Sequence, residues 1–253
     1  MLATQTALDL WEVAGPAPMH PSAWYDGPLA SFDLETTGVD PARARILEVA
    51  LHLDVPGAAA RPLVDTLVDP GPEVTIPAAA TAVHGITRQR LEAARAPDTA
   101  TVVRRLCRAL AALAADGIPV VIYNACYDWP LLAAEVRRLG PGQRPPTCHL
   151  IDPLVLDRHC DRYREGKRTL TATCAVYGVT LDGAHRAGAD CVASVAVARA
   201  IGRRYPEVGA LPAAALHRLQ ATAFEAWRTS FNAYLVEIGA DRTPIPAGWP
   251  DRA

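Results

Sequence analysis

The stretch IPVVIYN at 118–124 constrains the fold more than any other part of this 253-residue chain. An unbroken β-branched run suits a strand buried on both faces, the habit of parallel sheets, rather than a half-solvated strand. A helical pattern follows through PLLAAEVRRLG, with Gly140 at the C-cap position, and CHLID then reads as the next strand. Strand, helix and strand make a crossover unit whose two strands run parallel and whose helix covers one face of the sheet.

Three strands are predicted before that unit: LASFDLE, RILEVALHLDV and RPLVDTLVDP, the last two joined by a Pro-Gly turn at 56 and 57. AAATAVHGIT and TRQRLEAAR suggest short helices, and 98–115 predicts a longer one behind an Asp98 N-cap, ended by Gly117. Helical patterns recur at 153–163, 169–177 and 188–205, and 211–239 reads as a long amphipathic helix beyond the core. The expected fold class is α/β: a mixed five-stranded sheet, three antiparallel strands followed by parallel ones, flanked by helices, with a C-terminal helical extension. The expected organisation is an irregular N-terminal extension at 1–27, a main domain at 28–206, and a long helix with an irregular tail at 207–253.

Half of the residues are apolar, enough for a full core. The formal net charge is −2, so no global field recruits a polyanion or an anionic membrane, and such a ligand must be met by local groups. Lys167 is the only lysine; nearly all positive charge is arginine. Six cysteines lie scattered without a C-x-x-C pair, which argues for free thiols in a reducing compartment. The N-terminus has no basic start followed by an apolar stretch, so the expectation is a soluble, cytoplasmic protein without a membrane partner.

SFDLETTGVDP at 31–41 places Asp33 and Glu35 two residues apart in a strand, hence on one side, with Leu34 on the other. Adjacent carboxylates repel unless a cation lies between them, and magnesium or manganese accepts such oxygen ligands. Alone, the pair also fits a solvated strand end before a Thr-Thr-Gly turn. Asp128 follows the buried strand where the next helix begins, at the carboxyl edge of the sheet where sites gather, although a plain N-cap also fits. His185 precedes Asp190 by five residues at the start of an Ala-rich helix.

Together these segments resemble the DEDD superfamily of 3'-to-5' exonucleases. Its D-x-E-T-T-G motif matches Asp33 to Gly38, its Asn-Ala-x-aromatic-Asp motif matches Asn124 to Asp128, and its His-x-Ala-x-x-Asp motif matches His185 to Asp190. The histidine marks the DEDDh branch, and AVHGIT at 82–87 is similar to the segment that borders the terminal nucleotide. Beyond the motifs, IDPLVLDRHCDRYREGKRTLTATCAVYGV at 151–179 and the long C-terminal helix are similar to epsilon-like exonucleases of actinobacteria and their phages, and the superfamily includes the epsilon proofreading subunit of bacterial replicative polymerase. Tyr123, Tyr127 and Pro130 depart from the usual pattern, and Pro130 is expected to hold Trp129 out of helical geometry.

The resemblance implies a ribonuclease H-like fold and two ions, Mg2+ or Mn2+, seated by Asp33, Glu35, Asp128 and Asp190. Asp33 would bridge them, Glu35 and Asp190 would serve the ion at the attacking water, and Asp128 the other. A two-ion site lowers the barrier by activating the nucleophile and stabilising the leaving oxygen. His185 would act as general base near its ordinary pKa of about 6.5. Leu34, Thr36, His84 and Asn124 would line the terminal nucleotide, with Thr37 and Gly38 shaping the turn. Single-stranded DNA or a DNA 3' end is the implied partner, together with a polymerase; the alternatives are a 3'-to-5' exoribonuclease acting on RNA and a catalytically silent module that binds nucleic acid or a polymerase. The basic stretch 158–168 fits either a grip on phosphates or a solvated face, and Trp227, Phe231 and Tyr234 read as a core-docking stripe.

Overall fold

A computed structural model of the chain describes residues 23–184 and 186–251. Among these, five strands form one sheet in the order β3-β2-β1-β4-β5. They are β1 (Leu29–Thr36), β2 (Ile46–Asp54), β3 (Arg61–Leu67), β4 (Val120–Val121) and β5 (Leu150–Ile151). β1 to β3 are antiparallel, whereas β4 runs parallel to β1 and β5 parallel to β4, as the order of patterns predicts. The helices are α1 (Ala78–His84), α2 (Arg88–Ala93), α3 (Thr99–Ala115), α4 (Ala125–Leu139), α5 (Pro153–Cys160), α6 (Leu170–Tyr177), α7 (Ala187–Arg204), α8 (Pro206–Gly209) and α9 (Ala213–Glu237). None of them is long and apolar enough to cross a membrane.

Two apolar clusters sandwich the sheet. Phe32, Leu51, Leu106, Leu110 and Leu131 lie in the larger, beneath α3 and α4, and Leu29, Val121, Leu156 and Ile201 lie in the other, beneath α5 and α7. Burying each large aliphatic or aromatic side chain contributes about 1.5–3 kcal/mol. Asp98 caps α3 as expected, its carboxylate accepting the Thr101 amide.

The main departures concern where elements begin and end. The ladders of β4 and β5 span two residues each, shorter than the apolar runs around them, because β1 and β4 pair only through Ala30 and Ser31. Beyond Ser31 the two strands part, and the start of α4 enters between them. That helix begins at Ala125, five residues before Pro130, so Trp129 is helical after all. The early start is capped from outside the segment: Asp152 accepts the amides of Asn124 at 3.0 Å and Ala125 at 2.9 Å. Asn124 supports the turn with a left-handed backbone, φ 66°.

The C-terminal segment completes the sheet. β5 is an edge strand, and its outward backbone groups are satisfied by α9: His217 Nδ1 accepts the Leu150 amide at 3.0 Å, and Gln220 donates to Leu150 O at 2.9 Å while accepting the Asp152 amide at 2.6 Å. The tail after α9 has no regular structure, yet Trp249 is buried in the larger core and donates its indole N–H to Asp152 at 3.2 Å. At the other end, the expectation for residues 1–22 lies outside the described residues. Trp24, just beyond them, packs into the second cluster and donates to Val208 O at 3.0 Å. Arg199 of α7 clamps the entry to β1, reaching Gly27 O at 2.9 Å and Asp54.

Candidate active site

The site forms where β1 outlives its parallel neighbour. Asp33 and Glu35 project from β1 toward α7, and the small residues Ala50, Ala187 and Cys191 let that helix lie close to the sheet. A Cβ at Gly188 would already stand 3.2 Å from Asp65 Oδ2 and His52 Cε1. Close docking brings Asp190, in the first turn of α7, against the strand carboxylates. One oxygen each of Asp33, Glu35 and Asp190 lie within 4.8 Å of one another.

Asp128 reaches the same place from α4. In the gap left by β4, its Oδ1 accepts the amide of Leu34 at 3.1 Å, replacing a ladder hydrogen bond that β1 would otherwise lack. Asp128 lies inside the helix, not at its N-cap, so the plain capping reading fails.

The electrostatics follow from this crowding. Burial first, then repulsion from Asp128, Asp190, Glu35 and Glu48, raises Asp33 well above the ordinary carboxylate range. Glu35 is pushed up to about 7 by burial, Asp190 and Glu48. Burial also raises Asp128, against the opposing effect of the amides of Asp128 itself and Leu34. An all-oxygen set of mutually repelling carboxylates fits a hard divalent cation, which would relieve the repulsion.

The expected nucleotide-contacting residues occupy distinct positions. Leu34 packs its side chain in the core and commits its amide to Asp128. The Thr36 hydroxyl is held by Gly38 O at 3.0 Å and by Tyr127. His84 ends α1; its Nδ1 accepts the Ile86 amide at 3.0 Å, which leaves Nε2 of the neutral ring to donate to Thr36 O at 3.2 Å. Asn124 is exposed at the head of α4. Thr37 shapes the turn, donating its amide to Arg45 O at 3.0 Å and accepting the Arg45 amide on Oγ1 at 2.9 Å. His185 lies outside the described residues.

Three supporting residues escaped the sequence reading. Tyr127, noted only as a departure, donates its hydroxyl to Gly38 O, so the residue beside Asp128 clasps the Thr-Thr-Gly turn. Asp152 holds the head of α4; its signal was an Asp before Pro153 at a helix start. Glu48 stands opposite Glu35 in the β1–β2 register, and its Oε2 accepts the Ala187 amide at 3.5 Å. Arg186 gives α7 no side-chain cap, so a residue of β2 supplies the acceptor. A lone glutamate in the apolar run ILEVALHL was its only signal.

The exonuclease family model called RNase_T matches residues 31–198, and the chain belongs to this family, in the DEDDh superfamily. A DNA polymerase III subunit epsilon-like protein from Rhodobacter capsulatus is 35% identical over 167 residues, 64% of this chain and 22% of the relative. The chain thus corresponds to about a fifth of that protein's length. Among solved structures, E. coli Exonuclease I in complex with a dA16 oligonucleotide superposes with a TM-score of 0.61 at 20% identity, over 72% of this chain and 42% of the other. Exonuclease X in complex with 5' overhanging duplex DNA gives 0.53 at 20% identity, over 73% of this chain and 97% of its own. These superpositions establish the ribonuclease H-like exonuclease fold.

Proposed function

We propose that the protein is a metal-dependent 3'-to-5' exonuclease that releases nucleoside 5'-monophosphates from DNA 3' ends, single-stranded or frayed. The observation that carries this reading is the convergence of Asp33, Glu35 and Asp190 within 4.8 Å, with Asp128 anchored beside them. Family membership supports phosphodiester hydrolysis, and the DNA ligands of Exonuclease I and Exonuclease X support DNA as substrate.

Asp33, Glu35 and Asp190 would hold one Mg2+ or Mn2+, with Asp128 and Asp33 toward a second. When bound, the ions supply charge to activate the attacking water and stabilise the leaving oxygen. His185 takes the proton from that water and returns it to solvent, a role suited to a side chain titrating near neutrality. The turn fixed by Tyr127, with Thr36, His84 and Asn124, walls the terminal nucleotide. A polymerase partner is proposed from the epsilon-like relative, and a cytoplasmic setting accords with six free cysteines among the described residues.

The test uses matched DNA and RNA oligomers labelled at the 5' end, with Mg2+, Mn2+ or EDTA. A ladder shortening from the 3' end of DNA, absent in EDTA, is expected. Preferential shortening of RNA reassigns the substrate, and no degradation with either ion overturns the reading.

A further inference from the structure

The basic stretch at 158–168 and the aromatic stripe of α9, far apart in sequence, meet across a cleft of about 540 Å³. α9 has 25 residues, roughly 37 Å at 1.5 Å per residue. Its first half docks on β5 through Leu216, Gln220 and Phe224; Trp227 still packs against the larger core, and with Phe231 and Tyr234 it carries the stripe on to the connection between α5 and α6. Trp227 and Phe231 stack at 5.4 Å and 15°, while Tyr234 is 52% exposed. On the facing wall Arg158 lies over the Trp227 ring at 3.7 Å, and Tyr163 is 86% exposed.

The connection is built rigidly. Buried Asp157 accepts Arg164 Nη2 at 2.6 Å, Tyr177 OH at 3.0 Å, and Arg168. Two arginines of the stretch are thereby consumed in holding its shape. Among the described residues, the other two, Arg158 and Arg162, have no carboxylate in ion-pair range, and no acidic side chain lines the cleft. A cation-only lining in a chain of net charge −2 is a local complement to a polyanion. The cleft is also fastened to the candidate active site. Tyr123, one residue before Asn124, donates to Arg168 O at 2.8 Å, and α5 is capped by Asp152, which also holds the head of α4.

We propose that this cleft binds an unpaired nucleic-acid strand, with bases stacking on Tyr163 and Tyr234 and phosphates meeting Arg158 and Arg162. Exposed rings beside arginines that have no carboxylate partner among the described residues suit flexible single strands, because a duplex hides the faces of its bases. The proposal deepens the exonuclease reading by adding a second hold on its substrate, away from the acidic cluster.

Its test is equilibrium binding, not turnover: fluorescence anisotropy of a labelled thymidine 12-mer in EDTA at several salt concentrations. Tyr163→Ala and Arg162→Glu alter exposed side chains, so both variants keep the fold. Each is expected to weaken binding about tenfold, and Arg162→Glu to lower the salt slope by about one. Arg104→Glu, an equal charge reversal on α3 that does not line the cleft, is expected to stay within about twofold of wild type, so that a general charge effect is excluded. No binding by wild type, equal losses in all three variants, tighter binding of a blunt duplex, or preferential capture of an acidic peptide would each overturn the proposal. An inactive protein with the expected anisotropy pattern would sink the catalytic reading alone.

Discussion

Asp128 Oδ1 accepts the backbone N–H of Leu34 at 3.1 Å, so a single carboxylate completes the hydrogen bonding of the central strand and brings negative charge to Asp33. Structure and site chemistry meet in that bond. Because β4 stops pairing after Ser31, the amide is open to a side chain, and the head of α4 delivers one.

Asp128→Asn keeps an acceptor for Leu34 and removes the charge, whereas Asp128→Ala strands a buried amide. Both variants are expected to lose nuclease activity. In urea denaturation the Asn variant should be the more stable by about 1–3 kcal/mol, the cost of an unpaired buried group. Equal stability of the two would show that the bond matters little to the fold.

Glu35 titrates at about 7 in the folded chain against an ordinary value of 4.5. Between those values the folded state holds a proton that the unfolded state lacks, so metal-free stability falls as pH rises through this window. Relative to Glu35→Gln, the metal-free wild type should lose stability as pH rises from 4.5 through about 7 and then level off, with the gap closing at low pH. Saturating Mg2+ should shrink the gap at pH 8. Thermal melts of both proteins across pH check the sign, and a gap independent of pH contradicts it.

Glu48 supplies from β2 the cap that α7 does not provide for itself. Residues that orient a ligand-bearing segment typically cost 10–100-fold in metal affinity or activity when removed, so Glu48→Ala should weaken Mn2+ binding by about tenfold or more. Glu48→Gln retains an acceptor and should recover most of that loss. Titration calorimetry of the two variants separates the lost hydrogen bond from the lost charge.

His185→Ala should lower kcat by about 10²–10⁴-fold, the usual contribution of a general base. Mn2+ binding should persist, and the acid limb of the kcat profile should vanish. A variant with an unchanged pH profile would remove His185 from the proton transfer.

Gln220 closes the β5 edge by serving both Leu150 O and the Asp152 amide. Gln220→Ala should destabilise the chain by about 1–3 kcal/mol for each buried group left unpaired, measured by urea denaturation. The head of α4 should also exchange amide hydrogens faster, because Asp152 is fixed in part by that contact.

Periodicity and short motifs reached a long way. The β-branched run at 118–124 and the three strands before it implied the mixed sheet, and the side-chain period of two put Asp33 and Glu35 on one face with Leu34 in the core. Three motifs, 33–38, 124–128 and 185–190, pointed to an acidic set that the fold does bring together for Asp33, Glu35 and Asp190, with Asp128 adjoining. Such signals are local: each depends on residues a few positions apart.

What the tertiary structure alone decided are the bonds between distant segments. Asp152 starts α4 five residues ahead of Pro130, Tyr127 clasps Gly38, Glu48 caps α7, and α9 seals the edge of β5. Trp227, Phe231 and Tyr234 read as core dockers by their spacing; Trp227 does pack against the larger core, whereas Tyr234, two turns on, faces solvent. A helix start or a buried amide is satisfied by whichever polar group lies nearest in space, and sequence distance carries no information about which group that is.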